Sequence, residues 1–521
     1  MNATSKKGKV HPPYAGRVYL VGAGPGRVDL ITVRGLELLR AADCVIYDKL
    51  ANPGLLHYAR GDAELVGVPK RVGVESFTQQ QINDLLVEKA LQGKTVVRLK
   101  GGDPYIFGRG TEEAFALAQA GIDFEVVPGV TAALAAGCYS GIALTDRNLA
   151  SEVIFVTGHE AEGKEHSNID WELLAHFRGA IVFYMAMSNI DSIANRLIEN
   201  GMSAEASAAV VADATLATQR TVKATLATIA DQCVKNHIGP PALAFVGPTA
   251  AGEPHLDWLS KIPLFGQAIV LTRDAVGNAE LAAKLTAKMA RAIELPVTRI
   301  KPLTDSSVFV KTLAEINTYG WVIFTSPNGV ETFFAALSKL NKDGRIFGSA
   351  KIAAIGSGTA AKLAHFGLKA DFLPSAFTGK DLAKELIEFT NLRGRKILLL
   401  RSQLASDEMP RLLEAAGGVV DNVPIYTHEK NLCDLKPLSE ILAAGKVGWL
   451  TFASPFAARC FFEQVPADFA KSSGAKVASI GPVTSEQLRK LGVTADTEAA
   501  EHTIDGLLAS IEQYAMRTTN K

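Results

Sequence analysis

The sequence predicts an α/β protein built from largely parallel sheets and divided into two halves. Three observations carry that prediction. Short apolar, β-branched runs alternate with helical patterns along the whole chain, the signature of strand–helix–strand units. An aperiodic stretch with two prolines, AGEPHLDWLSKIPLFG at Ala251–Gly266, interrupts them midway and reads as a domain linker. Beyond it the sequence echoes itself. WVIFTSPNGVETFF (Trp321–Phe334) resembles WLTFASPFAARCFF (Trp449–Phe462), and KIAAIGSGTAAKLAHFGLKAD (Lys351–Asp371) resembles KVASIGPVTSEQLRKLGVTAD (Lys476–Asp496). The second half is therefore expected to form two similar lobes with a cleft between them.

In chain order, residues 1–15 are polar and basic without an apolar core and are expected to form a disordered tail. VYLVGAG, DCVIYD, TVVRLKG, EVIFVTGH and AIVFYMA are the strands of a first domain at 16–250. After the linker, QAIVLTRD, WVIFTS, KIAAIGSG, KILLLRS, GWLTFAS and KVASIGP are the strands of a second at 267–515.

The 521 residues, 48% hydrophobic and 21% charged, suffice for two to four domains with proper cores. Fifty-four basic and 54 acidic residues cancel, so no global field selects a nucleic acid or a membrane, although a local basic pocket for an acidic substrate stays open. The five cysteines are odd in number and lack CxxC spacing, which argues against a disulfide framework or a zinc site and for a reducing cytoplasm. No run reaches the roughly 18 uncharged apolar residues of a membrane span.

Glycine-rich loops follow several strands. In LKGGDPYIFGRGTEE (Leu99–Glu113), the strand TVVRL is followed by a helix expected to start with Thr111 as N-cap and to close at Gly121. The loop between them, Lys100–Gly110, exceeds the about two to six residues of a plain turn and lies at the ligand edge of an α/β sheet. VGAGPG (Val21–Gly26) invites a dinucleotide reading, but Arg27 stands where the third glycine should fall and Pro25 removes a donor. IGSGTAA (Ile355–Ala361) satisfies GxGxxA formally, yet its copy IGPVTSE loses the second glycine, so a tight strand-to-helix turn is the better reading.

Together, VGAGPG, IYDKL (Ile46–Leu50), LKGGDPYIFGRGTEE, VPGVTAALAA (Val127–Ala136), VTGHE and PALAFVG resemble uroporphyrinogen-III C-methyltransferase of the tetrapyrrole methylase family. Residues 267–515 resemble uroporphyrinogen-III synthase through TSPNGV-like, IGSGTA-like and LRS elements in that order. The resemblance implies a two-lobed methylase domain, then a bilobed synthase domain with flavodoxin-like parallel sheets. The synthase lobes would be about 267–300 plus 429–515, and 301–428.

By that resemblance, S-adenosyl-L-methionine is the cofactor. Pro25, Gly101, Gly102, Asp103, Ile106, Thr131, Ala132 and Met185 would hold it, with the turns Asp213-Ala214-Thr215 and Pro241-Ala242. Asp48 would accept a proton and Lys70 donate one. Lys70, Arg71, Lys100, Arg109 and Arg147 would gather the carboxylates of a tetrapyrrole. Tyr426 would assist loss of a hydroxyl during cyclisation, and Thr325, Ser326, Ser357 to Thr359, Thr378, Gly379 and Ser454 would take substrate carboxylates.

Each role has a plain counterpart. Asp48 is also a strand-end turn residue, Lys70 a solvated lysine, the arginines surface ion-pair partners, Tyr426 a hinge aromatic, and the hydroxyls helix caps. Pro69, Glu75, Asp146, Ala186 and Ala214 depart from the family pattern, with Glu75 and Asp146 bringing negative charge toward a polyacidic substrate.

The implied protein cyclises hydroxymethylbilane to uroporphyrinogen III, inverting ring D, and methylates it twice to precorrin-2, toward sirohaem or cobalamin. It would be a homodimer through its methyltransferase domain, with no nucleic-acid, membrane or metal partner. The alternative is a methylase of a later precorrin joined to a non-catalytic tetrapyrrole-binding half.

Overall fold

The computed structural model describes residues 16–68, 77–159, 168–376, 378–443, 447–466 and 469–519. The expected tail and the positions Pro69, Lys70, Arg71 and Glu75 lie outside the described residues. The chain separates into two compact units, 1–266 with 288–291 and 267–287 with 292–521.

In the first unit, strands β1 (Val18–Gly22), β2 (Cys44–Tyr47), β3 (Glu64–Gly67), β4 (Val96–Lys100) and β5 (Phe124–Val127) form an all-parallel sheet. Its order is β3-β2-β4-β1-β5. Central β4 is buried at every position, as a strand covered on both faces must be. Val18, Leu20 and Ile46 pack on one face with Ile82, Leu86 and Leu117, while Val21, Val45 and Val97 pack on the other with Leu39 and Leu55.

A second sheet holds β6 (Val153–Thr157), β7 (Ala180–Tyr184), β8 (Ser207–Ala212), β9 (Arg220–Thr225) and β10 (Ala242–Val246), in the order β6-β7-β10-β8-β9. Here the expectation of largely parallel strands fails. Only β6 and β7 run parallel, and β10 is antiparallel to both neighbours. β8 and β9 are joined directly through residues 213–219, too few for a crossover, and must form an antiparallel hairpin.

The segment Ala251–Gly266 is packed rather than a free linker. Leu259 and Leu264 are buried, and the Trp258 indole donates to the Cys138 carbonyl at 2.9 Å while meeting Tyr139 edge-on at 4.9 Å.

The second unit opens with β11 (Ala268–Leu271) and β12 (Arg291–Glu294). It continues through β13 (Thr298–Pro302), β14 (Trp321–Phe324), β15 (Lys351–Ala354), β16 (Lys396–Ser402) and β17 (Val419–Lys430). It ends with β18 (Val447–Phe452), β19 (Lys476–Ser479) and β20 (Thr497–Glu498). Two sheets result, β12-β11-β18-β19-β20 and β13-β17-β16-β14-β15. β13 is antiparallel to β17 over its whole length, so the chain changes lobes before Thr298 and returns after Lys430. The expected division at about residue 300 would have cut this strand.

The sequence echo is an echo of contacts. Ser326 caps the helix Pro327–Lys339 by accepting from Gly329 N, and Ser454 caps Pro455–Phe462 by accepting from Ala457 N. The Asp371 carboxylate accepts from Ile352 N at 2.8 Å, and that of Asp496 from Val477 N at 2.7 Å. Lys351 lies over Trp321 at 5.7 Å, as Lys476 lies over Trp449 at 5.8 Å. Both lobes are closed by the same local devices.

Candidate functional site

Three loops meet at the carboxyl ends of β1, β4 and β5. Ala23 N donates to the Lys100 carbonyl at 2.7 Å, and Gly24 and Gly102 exchange reciprocal backbone bonds at 3.2 and 2.8 Å. Asp103 joins the third loop, accepting from Tyr105 N through Oδ1 at 2.8 Å and from Gly129 N through Oδ2 at 3.0 Å. A Cβ on Gly129 would lie 2.2 Å from the Gly102 oxygen, one on Gly22 would lie 2.5 Å from the Gly129 Cα, and one on Gly101 would lie 2.8 Å from the Leu50 Cβ. Gly22 and Gly129 let backbones touch, and Gly101 lets Leu50 pack against the β4 loop. Gly102 differs: with φ +68° it needs the left-handed region, and the space its Cβ would enter has no protein atom closer than 3.8 Å.

No helix start lies at the VGAGPG glycines, because the next α-helix, Val33–Ala41, is capped by Thr32. The phosphate-binding geometry of a dinucleotide fold is therefore missing there. The helix Gly110–Ala120 begins one residue before the expected cap: Arg109, in left-handed conformation, takes the N-cap position and Thr111 lies inside the first turn. The reason is the fold-back of the loop, which brings Gly110 N to the Pro104 carbonyl at 3.0 Å and leaves no room for a Cβ at residue 110.

The second lobe contributes the opposite wall. Tyr184 OH lies 2.6 Å from Thr131 Oγ1 and accepts from Ala133 N at 3.1 Å, and its ring meets Phe107 at 4.8 Å. Burial pushes the Tyr184 phenol up, and its partners oppose the shift. Arg27 N donates to Thr215 Oγ1 at 3.1 Å, joining the turn after Pro25 to the turn 213–215, while Asp213 N donates to the Pro241 carbonyl at 3.0 Å. Ala242 follows, paired with Ala212.

The loops that carry Pro25, 101–103, 106, 131–132, 185, 213–215 and 241–242 are thus joined to one another by contacts of their neighbouring residues. Of the eight non-glycine residues with positive φ among the described residues, five (Phe107, Arg109, Met185, Asp213, Thr215) fall in these loops. Strained backbone concentrates at ligand clamps. Ile106, Phe107 and Met185 are exposed, offering apolar surface.

Beneath the loops lies a charged layer that overturns one expectation. Lys100, expected among the substrate cations, is 2% exposed and its ammonium binds Glu113 Oε1 at 2.8 Å. Burial lowers its pKa, and neighbouring Arg98 lowers it further. Arg98 and Lys100 alternate along β4 onto one face, and the helix Gly110–Ala120 lays Glu113 across them. Asp48, a quarter exposed, is held through Oδ1 by Arg98 Nη2 at 2.5 Å.

Of the other expected cations, Arg109 is exposed and forms a fork with Glu112, both bonds 2.7 Å, which raises its pKa. Arg147 is exposed in a loop bridged between Asp146 and Ala150. Asp146 Oδ1 accepts from Asn148 N and Leu149 N at 2.8 and 3.0 Å, so this acid is committed to closing its own turn.

In the second unit Tyr426 is 4% exposed, and its OH lies 2.8 Å from Ser326 Oγ. Burial raises its pKa. Thr325 and Ser326 follow β14, and the nearest atom to a Cβ on Gly358 would be Pro327 Cγ at 3.8 Å, which brings the turn at Ser357 beside them. Thr359 is core, buried to 2%. Thr378 caps the helix Gly379–Phe389 through Asp381 N, so both residues have structural work there.

Sequence reasoning passed over several members. Arg98, Glu113 and Tyr184 were readable as strand or helix interior, and His428 was unremarked. The His428 ring lies 5.5 Å from Tyr426 and 6.3 Å from Phe456. Two cations alternating in an otherwise apolar strand, followed by paired acids, were the available signal for the first two.

Residues 17–230 match the family model described as Tetrapyrrole (Corrin/Porphyrin) Methylases, and residues 279–509 the one described as Uroporphyrinogen-III synthase HemD. The chain is 36% identical over 496 residues to the porphyrin biosynthesis protein HemD of Ruminiclostridium josui, covering 95% of this chain and 98% of that protein. It is 40% identical over 328 residues to the uroporphyrinogen-III C-methyltransferase of Bacillus subtilis (strain 168), covering 63% of this chain and 67% of that one. Over 232 residues it is 44% identical to the S-adenosyl-L-methionine-dependent uroporphyrinogen III methyltransferase of Methanosarcina barkeri, covering 44% of this chain and 91% of that one. The chain therefore belongs to the two-domain tetrapyrrole-biosynthesis enzymes in which a tetrapyrrole methylase domain is followed by a uroporphyrinogen-III synthase domain.

Proposed function

We propose that the protein cyclises hydroxymethylbilane to uroporphyrinogen III with inversion of ring D, and methylates that product twice to precorrin-2 for sirohaem or cobalamin. The observation that carries this reading is the likeness to a single porphyrin-biosynthesis protein across 95% of the chain, spanning both domains.

The loops of the first unit fit S-adenosyl-L-methionine, which supplies an electrophilic methyl carbon on a cationic sulfur. Gly102 leaves open the space a Cβ would fill. Asp103 uses one contact on each carboxylate oxygen for backbone N–H groups, keeping acceptor capacity for hydroxyls or an ammonium. Ile106 and Met185 give apolar contact, and the backbones of Pro25, Thr131, Ala132, Ala214 and Ala242 complete the wall.

These residues act by orientation, holding the methyl in line with a pyrrole carbon. When bound, the donor would supply its methyl carbon to the pyrrole carbon and would keep the carbon–sulfur electron pair on sulfur. The Asp48 carboxylate takes the proton that the ring then releases, and Lys70 returns one. Arg71, Arg109 and Arg147 bind substrate carboxylates, with Arg109 exchanging its Glu112 partner for substrate. In the second unit Tyr426 assists departure of the hydroxyl while Thr325, Ser326, Thr378 and Gly379 hold the folded chain of pyrroles. The reading includes a cytoplasmic homodimer joined through the methyltransferase unit; light scattering tests the dimer.

The main test supplies enzymatically generated hydroxymethylbilane with and without S-adenosyl-L-methionine and resolves oxidised products by chromatography. Type III isomer without the cofactor and a dimethylated product with it are expected. Type I isomer alone, the product of uncatalysed closure, would refute the synthase assignment. Methylation of a later precorrin but not of uroporphyrinogen would refute the methylase assignment.

A further inference from the structure

Arg98 is enclosed, and its guanidinium is divided among three partners. Nε donates to Glu113 Oε1 at 3.1 Å, Nη2 to Asp48 Oδ1 at 2.5 Å and Nη1 to the Ile46 carbonyl at 3.4 Å. Glu113 is fully buried. Its Oε1 also takes the Lys100 ammonium at 2.8 Å and the Gln79 amide at 3.3 Å. Its Oε2 is buried without a hydrogen-bond partner among the described residues. A buried acid with one crowded and one orphaned oxygen is costly, and sites that bear such a cost commonly do so for function.

Among the described residues, the charged groups facing this layer are Asp48 just after β2, Arg98 and Lys100 from β4, and Glu113 from the helix Gly110–Ala120, with exposed Arg109 at that helix's N-cap also acting on Glu113 electrostatically. The helix Gln79–Leu91 adds only the neutral Gln79 and Asn83. Of Asp48, Arg98, Lys100 and Glu113, only Asp48 reaches solvent appreciably, at 25% exposure.

We propose that Glu113 is a positioning residue for methyl transfer, fixing the Arg98 fork and, through it, setting how readily Asp48 accepts a proton. The inference rests on Asp48 being the proton acceptor. Arg98 shared between two carboxylates gives Asp48 only part of its charge, and Lys100 competes with Arg98 for Glu113. The lowered pKa of Lys100 agrees with a cation held by burial against its own charge.

Two variants should move the acid limb of kcat for methylation in opposite directions. Glu113→Gln leaves the whole Arg98 charge to Asp48 and should move the midpoint of that limb to lower pH. Lys100→Met throws Glu113 onto Arg98 and should raise the midpoint. The midpoint is read from kcat against pH in the full-length protein.

A merely structural role would lower activity in both variants and move neither midpoint, and that result overturns the proposal while leaving Asp48 as acceptor. If Asp48→Asn methylates at the wild-type rate, the acceptor reading and the proposal fall together. Should Glu113→Gln not fold, Lys100→Met decides alone: a raised midpoint supports the proposal and an unmoved one refutes it.

Discussion

Gly129→Ala probes the loop junction on which the proposed cofactor site is built. The added Cβ would stand 2.2 Å from the Gly102 oxygen and 2.8 Å from the Gly22 Cα, both backbone atoms that no side-chain rotation relieves. Restoring a contact of about 3 Å requires the β4 and β5 loops to separate by most of an ångström. That displacement breaks the reciprocal Gly24–Gly102 bonds, at 3.2 and 2.8 Å, and the 3.0 Å bond from Gly129 N to Asp103. At about 1 kcal/mol net for each of three bonds, the loss is about 3 kcal/mol. This lies at the upper end of ordinary overpacking costs. For a unit of this size it corresponds to a fall in Tm of roughly 6–12 °C.

Differential scanning calorimetry of the full chain should show the first unit melting earlier, and isothermal titration should show weakened binding of S-adenosylhomocysteine. Gly61→Ala is the control, because nothing lies within 4 Å of its Cβ position. It should stay within about 0.5 kcal/mol of wild type. An unchanged melt and unchanged binding in Gly129→Ala would refute the reasoning that backbone proximity of these loops builds the site.

Three further outcomes are expected. Tyr426→Phe removes the bond to Ser326 Oγ at a cost of about 1 kcal/mol, and should shift the cyclised product from type III toward type I isomer; product unchanged in isomer and rate would leave Tyr426 only a packing role. His428 has its pKa lowered from 6.5 by burial, opposed by Asp274. Its neutral form therefore supports the folded second unit above about pH 6.5, and that support should drain away as pH falls through the lower folded value; Tm measured against pH should lose this slope in His428→Gln. Trp258→Ala removes the indole bond to the Cys138 carbonyl and the edge contact with Tyr139. It should destabilise the first unit by about 2 kcal/mol in a urea melt, whereas a freely tethered linker would give no change.

The strands were legible because strands buried on both faces must be apolar runs, and TVVRL, AIVFY and KILLL announce themselves. The repeat was legible for a similar reason. Ser326 and Ser454, like Asp371 and Asp496, satisfy backbone N–H groups through side chains close in sequence, so the same local chemistry leaves the same letters twice. The junction of the loops after β1, β4 and β5 could be read from its glycines, since only glycine permits approaches such as that of Gly129 to Gly102.

What the sequence alone could not decide was which polar residues turn inward. Lys100 ends an apolar strand beside a glycine loop and reads as a cation offered to substrate. Only the helix Gly110–Ala120, folding back over β4, sets Glu113 against it and closes it from solvent. Asp146 likewise reads as a misplaced charge until its turn closes on Asn148 and Leu149. The antiparallel insertion of β10 between β7 and β8 has no local signature either, because a strand's apolar pattern does not encode its direction. Local chemistry wrote the strands, caps and turns into the sequence. Burial of charge and direction of pairing depend on residues distant in the chain, and only the tertiary structure decided them.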